Sequence, residues 1–183
     1  PIFDSLEIQT EGQGDRDLFW HEYTHNTMYL HLYNFLGPAG SIIHLFWMPA
    51  WWIEGVAETI SQSVGSDTQA GIERYQALRS EWPTFDRMHS LYNKYDFFLR
   101  GYSTSGAFVS YILRKGGPAK LGELHRNFFD YTMPWWWVWS IVPFNGFMPM
   151  DAALEDFAGL KGKGLYEQYK VDASQFWKSI KYD

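Results

Sequence analysis

Residues 21 to 25 read His-Glu-Tyr-Thr-His, two imidazoles four positions apart with a carboxylate directly after the first. Four residues make just over one turn of an α-helix, so His21 and His25 project from one face and can place two ring nitrogens on a single ion. Glu22 stands one residue round the helix from His21. From there its carboxylate reaches a water at the metal without becoming a ligand, the position of a general base. The bland alternative is an exposed polar stripe on a surface helix. A third protein ligand separates the two readings, because a catalytic zinc takes three and leaves its fourth position open. The chain has no cysteine, so that ligand must be a His or a carboxylate. Glu54 and His44 lie downstream. His44 is not at the short spacing of the third His in metzincins, which leaves Glu54 as the preferred candidate.

The elements that carry these residues read as helices. Apolar residues at helical spacing (Leu18, Met28, Leu32, Phe35) predict a helix over Asp15 to Leu36, with Asp15 or Asp17 as its cap and Gly37-Pro38 as its stop. A Gly-, Pro- and aromatic-rich connection to Ala50 leads to a second helix over Trp51 to Val64 and a third over Thr68 to Ser80. A loop containing Pro83 and His89 follows. Helices are expected over Ser103 to Lys115 and Ala119 to Asp130, separated by Gly116-Gly117-Pro118. Shorter ones fit Asp151 to Phe157, Leu165 to Lys170 and Ala173 to Lys181. Ser5 to Thr10 is the one strand candidate, so the expected fold is mainly α with little strand at the N-terminus.

A length of 183 residues suits one domain with a real core, and 20% aromatic residues, ten of them Trp, provide large rings to bury. The net charge of −6 gives no basic footprint for nucleic acid. No charged leader followed by an apolar run precedes the first helix, so a signal peptide is expected to have been removed or never to have existed. Met133 to Met150 carries no charge over eighteen residues but is broken by Pro134, Pro143, Gly146 and Pro149. It reads as a loop packed on the core or on a neighbouring domain, with a membrane-surface contact as the alternative. His31, His44, His89 and His125 read as structural or surface residues.

Trp51-Trp52-Ile53-Glu54-Gly55-Val56-Ala57, on the second expected helix, brings in a family resemblance. Together with His21-Glu22-x-x-His25 it resembles the gluzincin zinc peptidases, thermolysin-like and aminopeptidase N-like, in which HExxH is followed on the next helix by a Glu, often within W-x-x-E-G-x-A. The resemblance implies that the HExxH helix packs on the Glu-ligand helix across one zinc ion per chain. His21, His25 and Glu54 would hold that ion and Glu22 would act as base. The 28 residues between His25 and Glu54 exceed the usual aminopeptidase gap, which points to an insertion at Ser41 to Trp47. Glu58, four residues after Glu54, faces the same side of its helix, where it can accept a hydrogen bond from a ligand imidazole and orient it. Tyr102, ahead of Ser103-Thr104-Ser105-Gly106, is similar to the Tyr that stabilises the oxyanion in aminopeptidase N-like enzymes, although its spacing to the Gly is one residue longer.

Asp151 to Phe157 through Gln175 to Lys178 is similar to the closing helices of the group. Thr10 to Gly14 matches poorly the segment that recognises a substrate's free amine, so an endopeptidase or processing enzyme acting on a peptide or protein is favoured over an aminopeptidase. The family's N-terminal mixed sheet is represented by one strand at most. The expectation is therefore a single metallopeptidase-like catalytic domain over residues 1–183, compatible with its being a fragment of a larger protein. A catalytically inactive binding module of a larger or envelope-associated protein, using a Trp-rich surface, is the alternative.

Overall fold

The computed structural model describes residues 13–36, 48–62, 68–88, 101–132 and 147–180, and these are mainly α-helical, with no strand among them. In chain order the helices are α1 (Gln13–Leu36), α2 (Ala50–Gln62), α3 (Thr68–Arg79), α4 (Phe85–Met88), α5 (Tyr102–Thr132), α6 (Phe147–Ala158) and α7 (Gly162–Ser179). Ser5 to Thr10, Ser41 to Trp47, His44 and His89 lie outside the described residues, as do positions 133–146 of the uncharged segment. No helix among the described residues is long and apolar enough to cross a membrane.

Helix α2 is the axis of the fold. The Pro49 carbonyl closes its first turn by accepting the amides of Trp52 (2.9 Å) and Ile53 (3.2 Å). From Ala50 to Ala57 every side chain is buried, the pattern of a helix covered on all sides rather than of an amphipathic surface helix. Helix α1 covers one side and α5 the other. The approach of α5 is close enough to require glycine at position 55, where a Cβ would stand 2.7 Å from the Ser105 carbonyl oxygen and from Val109 Cγ2. Thr59 reinforces the contact, its hydroxyl lying 2.7 Å from the Gly55 carbonyl on its own helix and 2.9 Å from the Gly106 carbonyl on α5.

Around this pair the core is largely aromatic. Phe108 of α5 lies 5.0 Å from Trp51, 5.2 Å from Tyr166 and 5.5 Å from Tyr169, ring centre to ring centre. Phe85 of α4 joins them against Trp51 and Tyr166. The tyrosine hydroxyls among these rings have partners, as burial demands. Tyr166 donates to the Pro83 carbonyl, and Tyr169 and Trp177 donate to the two oxygens of the buried Glu73 at 2.9 and 2.8 Å. Trp52 donates its indole N–H to His125 Nδ1 at 3.2 Å, which ties the part-buried His125 to α2.

Several boundaries differ from the sequence expectation for identifiable reasons. Leu165 to Lys170 and Ala173 to Lys181 are not separate helices but parts of α7, because Val171-Asp172 contains no breaker and Leu165, Tyr166, Tyr169 and Ala173 form one continuous buried stripe. Helix α6 begins at Phe147 rather than Asp151. Pro149 thereby falls in its first turn, where a missing N–H breaks no hydrogen bond. Helix α4 interrupts the expected loop, and Arg87 N–H reaches the Thr84 carbonyl at 3.0 Å. The expected stop at Gly116-Gly117-Pro118 is found as a break within α5: Gly117 has φ 78° and ψ 171°, a conformation glycine adopts without strain, and Pro118 restarts the helix.

Glu73 joins α3 to α7, so Glu73→Ala should leave the Tyr169 hydroxyl and the Trp177 indole without their acceptor. The expected cost is about 2–4 kcal/mol, from two unpaired donors. It should be read as a lower urea midpoint with an unchanged m-value.

Candidate functional site

Helix α1 turns His21, Thr24, His25 and Met28 toward the core, and Thr24 and Met28 are buried there. Because the imidazoles occupy the inward stripe, Leu18, expected on the apolar face, stands at its edge and is 52% exposed. Leu32 and Phe35 lie within the helix, and the described side chains of α1 end at Met28. Phe19, Trp20 and Tyr23 form an exposed aromatic cluster on the outer side, with ring centres 5.5 to 5.9 Å apart.

The inward imidazoles meet Glu54 of α2. His21 Nε2 is 3.0 Å from His25 Nε2 and 3.1 Å from Glu54 Oε2, and His25 Nε2 is 3.3 Å from the same oxygen. Three atoms with lone pairs thus form a nearly equilateral triangle. A single proton bridges two of them at a time, whereas a cation near the centre engages all three. Ligands held about 2.0–2.1 Å from a tetrahedral zinc stand about 3.3 Å apart, so both the donor set and its spacing fit that ion. Among the described residues no other group of His, Asp or Glu side chains meets this condition.

The other candidates gather at the same place. Glu58 Oε1 is 3.4 Å from His21 Nδ1, the ring nitrogen not directed at Glu54. The ring of Tyr102, the first residue of α5, is centred 6.1 Å from that of His21. Burial raises the pKa of the Tyr102 hydroxyl, and the nearby charges of Glu54, Glu58 and Glu22 raise it further. The hydroxyl therefore keeps its proton and stays a hydrogen-bond donor. The same influence places the Glu22 carboxylate within electrostatic reach of the site, and Glu22 itself is half-buried.

His31 lies six residues after His25, the spacing of the third metzincin ligand. Met28 occupies the position where that pattern has glycine, and α1 runs unbroken from Gln13 to Leu36. Six helical residues carry the backbone about 9 Å along the axis and about 120° away from the line of His25. Continuity of α1 therefore separates position 31 from the triangle.

The electrostatics follow from burial and charge together. Burial disfavours an imidazolium at His21, but the hydrogen bonds and charges of Glu54 and Glu58 outweigh it and raise the pKa to about 9. Burial likewise disfavours the Glu54 carboxylate, and His21 and His25 reverse that effect, holding its pKa at about 2. For the metal-free fold the signs are opposite: the raised His21 contributes stability that fades as pH rises through about 9, and the depressed Glu54 contributes stability that fades as pH falls through about 2.

Because metal and proton compete for His21, zinc binding near pH 7 should release about one proton per chain. Titration calorimetry in buffers of different ionisation enthalpy measures this. Affinity should rise about tenfold per pH unit until pH approaches 9 and level off there. An affinity that does not change from pH 6 to 8 would contradict proton–metal competition at His21. No known protein family, curated protein or solved structure matches this chain, so any functional assignment rests on the residues gathered around this triangle.

Proposed function

We propose that the chain is a zinc-dependent peptidase of the gluzincin type, acting on peptides or proteins as an endopeptidase or processing enzyme. The observation that carries the reading is the convergence of His21, His25 and Glu54 at 3.0 to 3.3 Å, with Glu22 beside them on the HExxH turn. A purely structural zinc site has no need of a base beside its ligands, which favours catalysis over a merely stabilising ion.

His21, His25 and Glu54 would hold the zinc, which when bound supplies Lewis acidity that polarises a peptide carbonyl and makes a water more acidic. Glu22 takes a proton from the attacking water and then delivers it to the leaving amine, so a single carboxylate serves first as base and then as acid. Tyr102 keeps its proton and donates a hydrogen bond to the oxygen on which negative charge develops. Glu58 acts through His21, holding the ring that faces the ion.

The exposed Phe19, Trp20 and Tyr23 favour a second reading, a non-catalytic module that binds a partner through this aromatic surface. The readings part at Glu22, which such a module does not use.

Glu22→Gln should keep zinc at wild-type occupancy and lose peptide cleavage by at least about a hundredfold, read on a peptide library with the metal content measured in parallel. Tyr102→Phe should lower kcat by about a hundredfold with little change in KM, as expected for a donor used mainly in the transition state. Cleavage by Glu22→Gln at the wild-type rate would contradict the mechanism. A zinc-loaded wild type that cleaves no peptide in the library would support the binding-module reading.

A further inference from the structure

We infer that Gly106 and Gln69 are positioning residues for the metal centre, acting through Glu58; the inference rests on the proposed zinc site. Gly106 lies on α5 directly against the Glu58 turn of α2. A Cβ at position 106 would stand 2.8 Å from Glu58 Cβ and 2.5 Å from Gln69 Nε2. The end of the Gln69 side chain can swing aside. Glu58 Cβ is bonded to the backbone, so it retreats only if that turn of α2 moves with it.

Gln69, the second residue of α3, holds the same turn from another direction. Its amide nitrogen donates to the Glu58 carbonyl at 2.9 Å, and its amide oxygen accepts from Ser110 of α5 at 3.0 Å. Three helices therefore meet at the Glu58 backbone: α5 through the bare Cα of Gly106, α3 through the Gln69 amide, and α2 itself. On the far side the Glu58 carboxylate stands 3.4 Å from His21 Nδ1, at the limit of a useful contact. At that separation a displacement of a few tenths of an ångström takes the carboxylate out of reach of the ring it orients. Neither Gly106 nor Gln69 is among the candidate ligands or the proposed base, so their influence is on placement.

The test uses zinc alone as the probe, titrated against the full chain by competition with a chelator, with circular dichroism of each metal-free variant. Gly106→Ala should weaken zinc affinity about tenfold while helical content is retained, the scale expected when a ligand's orienting partner is lost. Glu58→Ala should weaken it similarly, and adding Gly106→Ala to Glu58→Ala should weaken it no further, because both changes remove one interaction. Gln69→Ala adds no volume and should shift affinity in the same direction, so it provides the test if Gly106→Ala does not fold. A general packing defect would lower stability but would weaken zinc binding equally with and without Glu58, and that additive result would overturn the inference. Wild-type affinity in Gly106→Ala and Gln69→Ala would overturn it as well. A wild type that binds no zinc would overturn the proposed function itself, and this inference with it.

Discussion

Two imidazole nitrogens and a carboxylate oxygen brought within 3.0 to 3.3 Å of one another, with the carboxylate almost wholly removed from water, form an arrangement that needs positive charge. Without it, lone pairs face lone pairs and the Glu54 charge stays desolvated. In the metal-free chain the need is met by a proton, which is why His21 holds one so far above the ordinary imidazole range. A divalent cation meets the same need with one more donor engaged. The fold provides the rigidity that keeps these groups from relaxing apart.

That rigidity comes chiefly from α2. A helix buried from Ala50 to Ala57 cannot rotate without dragging Trp51 and Trp52 through an aromatic core, and so Glu54 and Glu58 are aimed by packing rather than by their own side-chain preferences. Gly55 and Gly106 let α5 approach α2 closely, and Thr59 ties the two backbones where they meet. The approach of α5 also brings Tyr102 to the site. Position 102 starts the helix whose next turn carries Ser105 and Gly106, so the contact that seats the helix pair also seats the candidate oxyanion donor. Packing and site geometry share these residues.

Much of the site could be read from local spacing, because the relation between His21 and His25, and between Glu54 and Glu58, is fixed by the pitch of a helix. The helix-ending chemistry of Gly117-Pro118 was equally readable, since it acts within a few residues. What escaped were features decided by partners distant in sequence. Leu18 looked like a core residue by type, but the inward face of α1 carries His21, Thr24, His25 and Met28, and Leu18 stands at its edge. The continuity of α7 depends on a stripe that packs on α3 and α6, which shorter amphipathic windows divide in two. Gln69 carries no motif at all, and its grip on the Glu58 carbonyl exists only once α3 has packed on α5, which brings its first turn to the end of α2. Met133 to Met150 was singled out for its composition alone, and only its last four residues, the start of α6, lie within the described chain.

The central claim is that the triangle of His21, His25 and Glu54 exists to hold a metal ion. Elemental analysis of the purified chain after zinc loading and removal of excess ion, run beside a Glu54→Ala variant of confirmed helical content, addresses it most directly. About one zinc per wild-type chain is expected, and none retained by the variant. A wild type that retains no metal, or a variant that retains it as well as the wild type does, would mean that His21, His25 and Glu54 do not form a metal site.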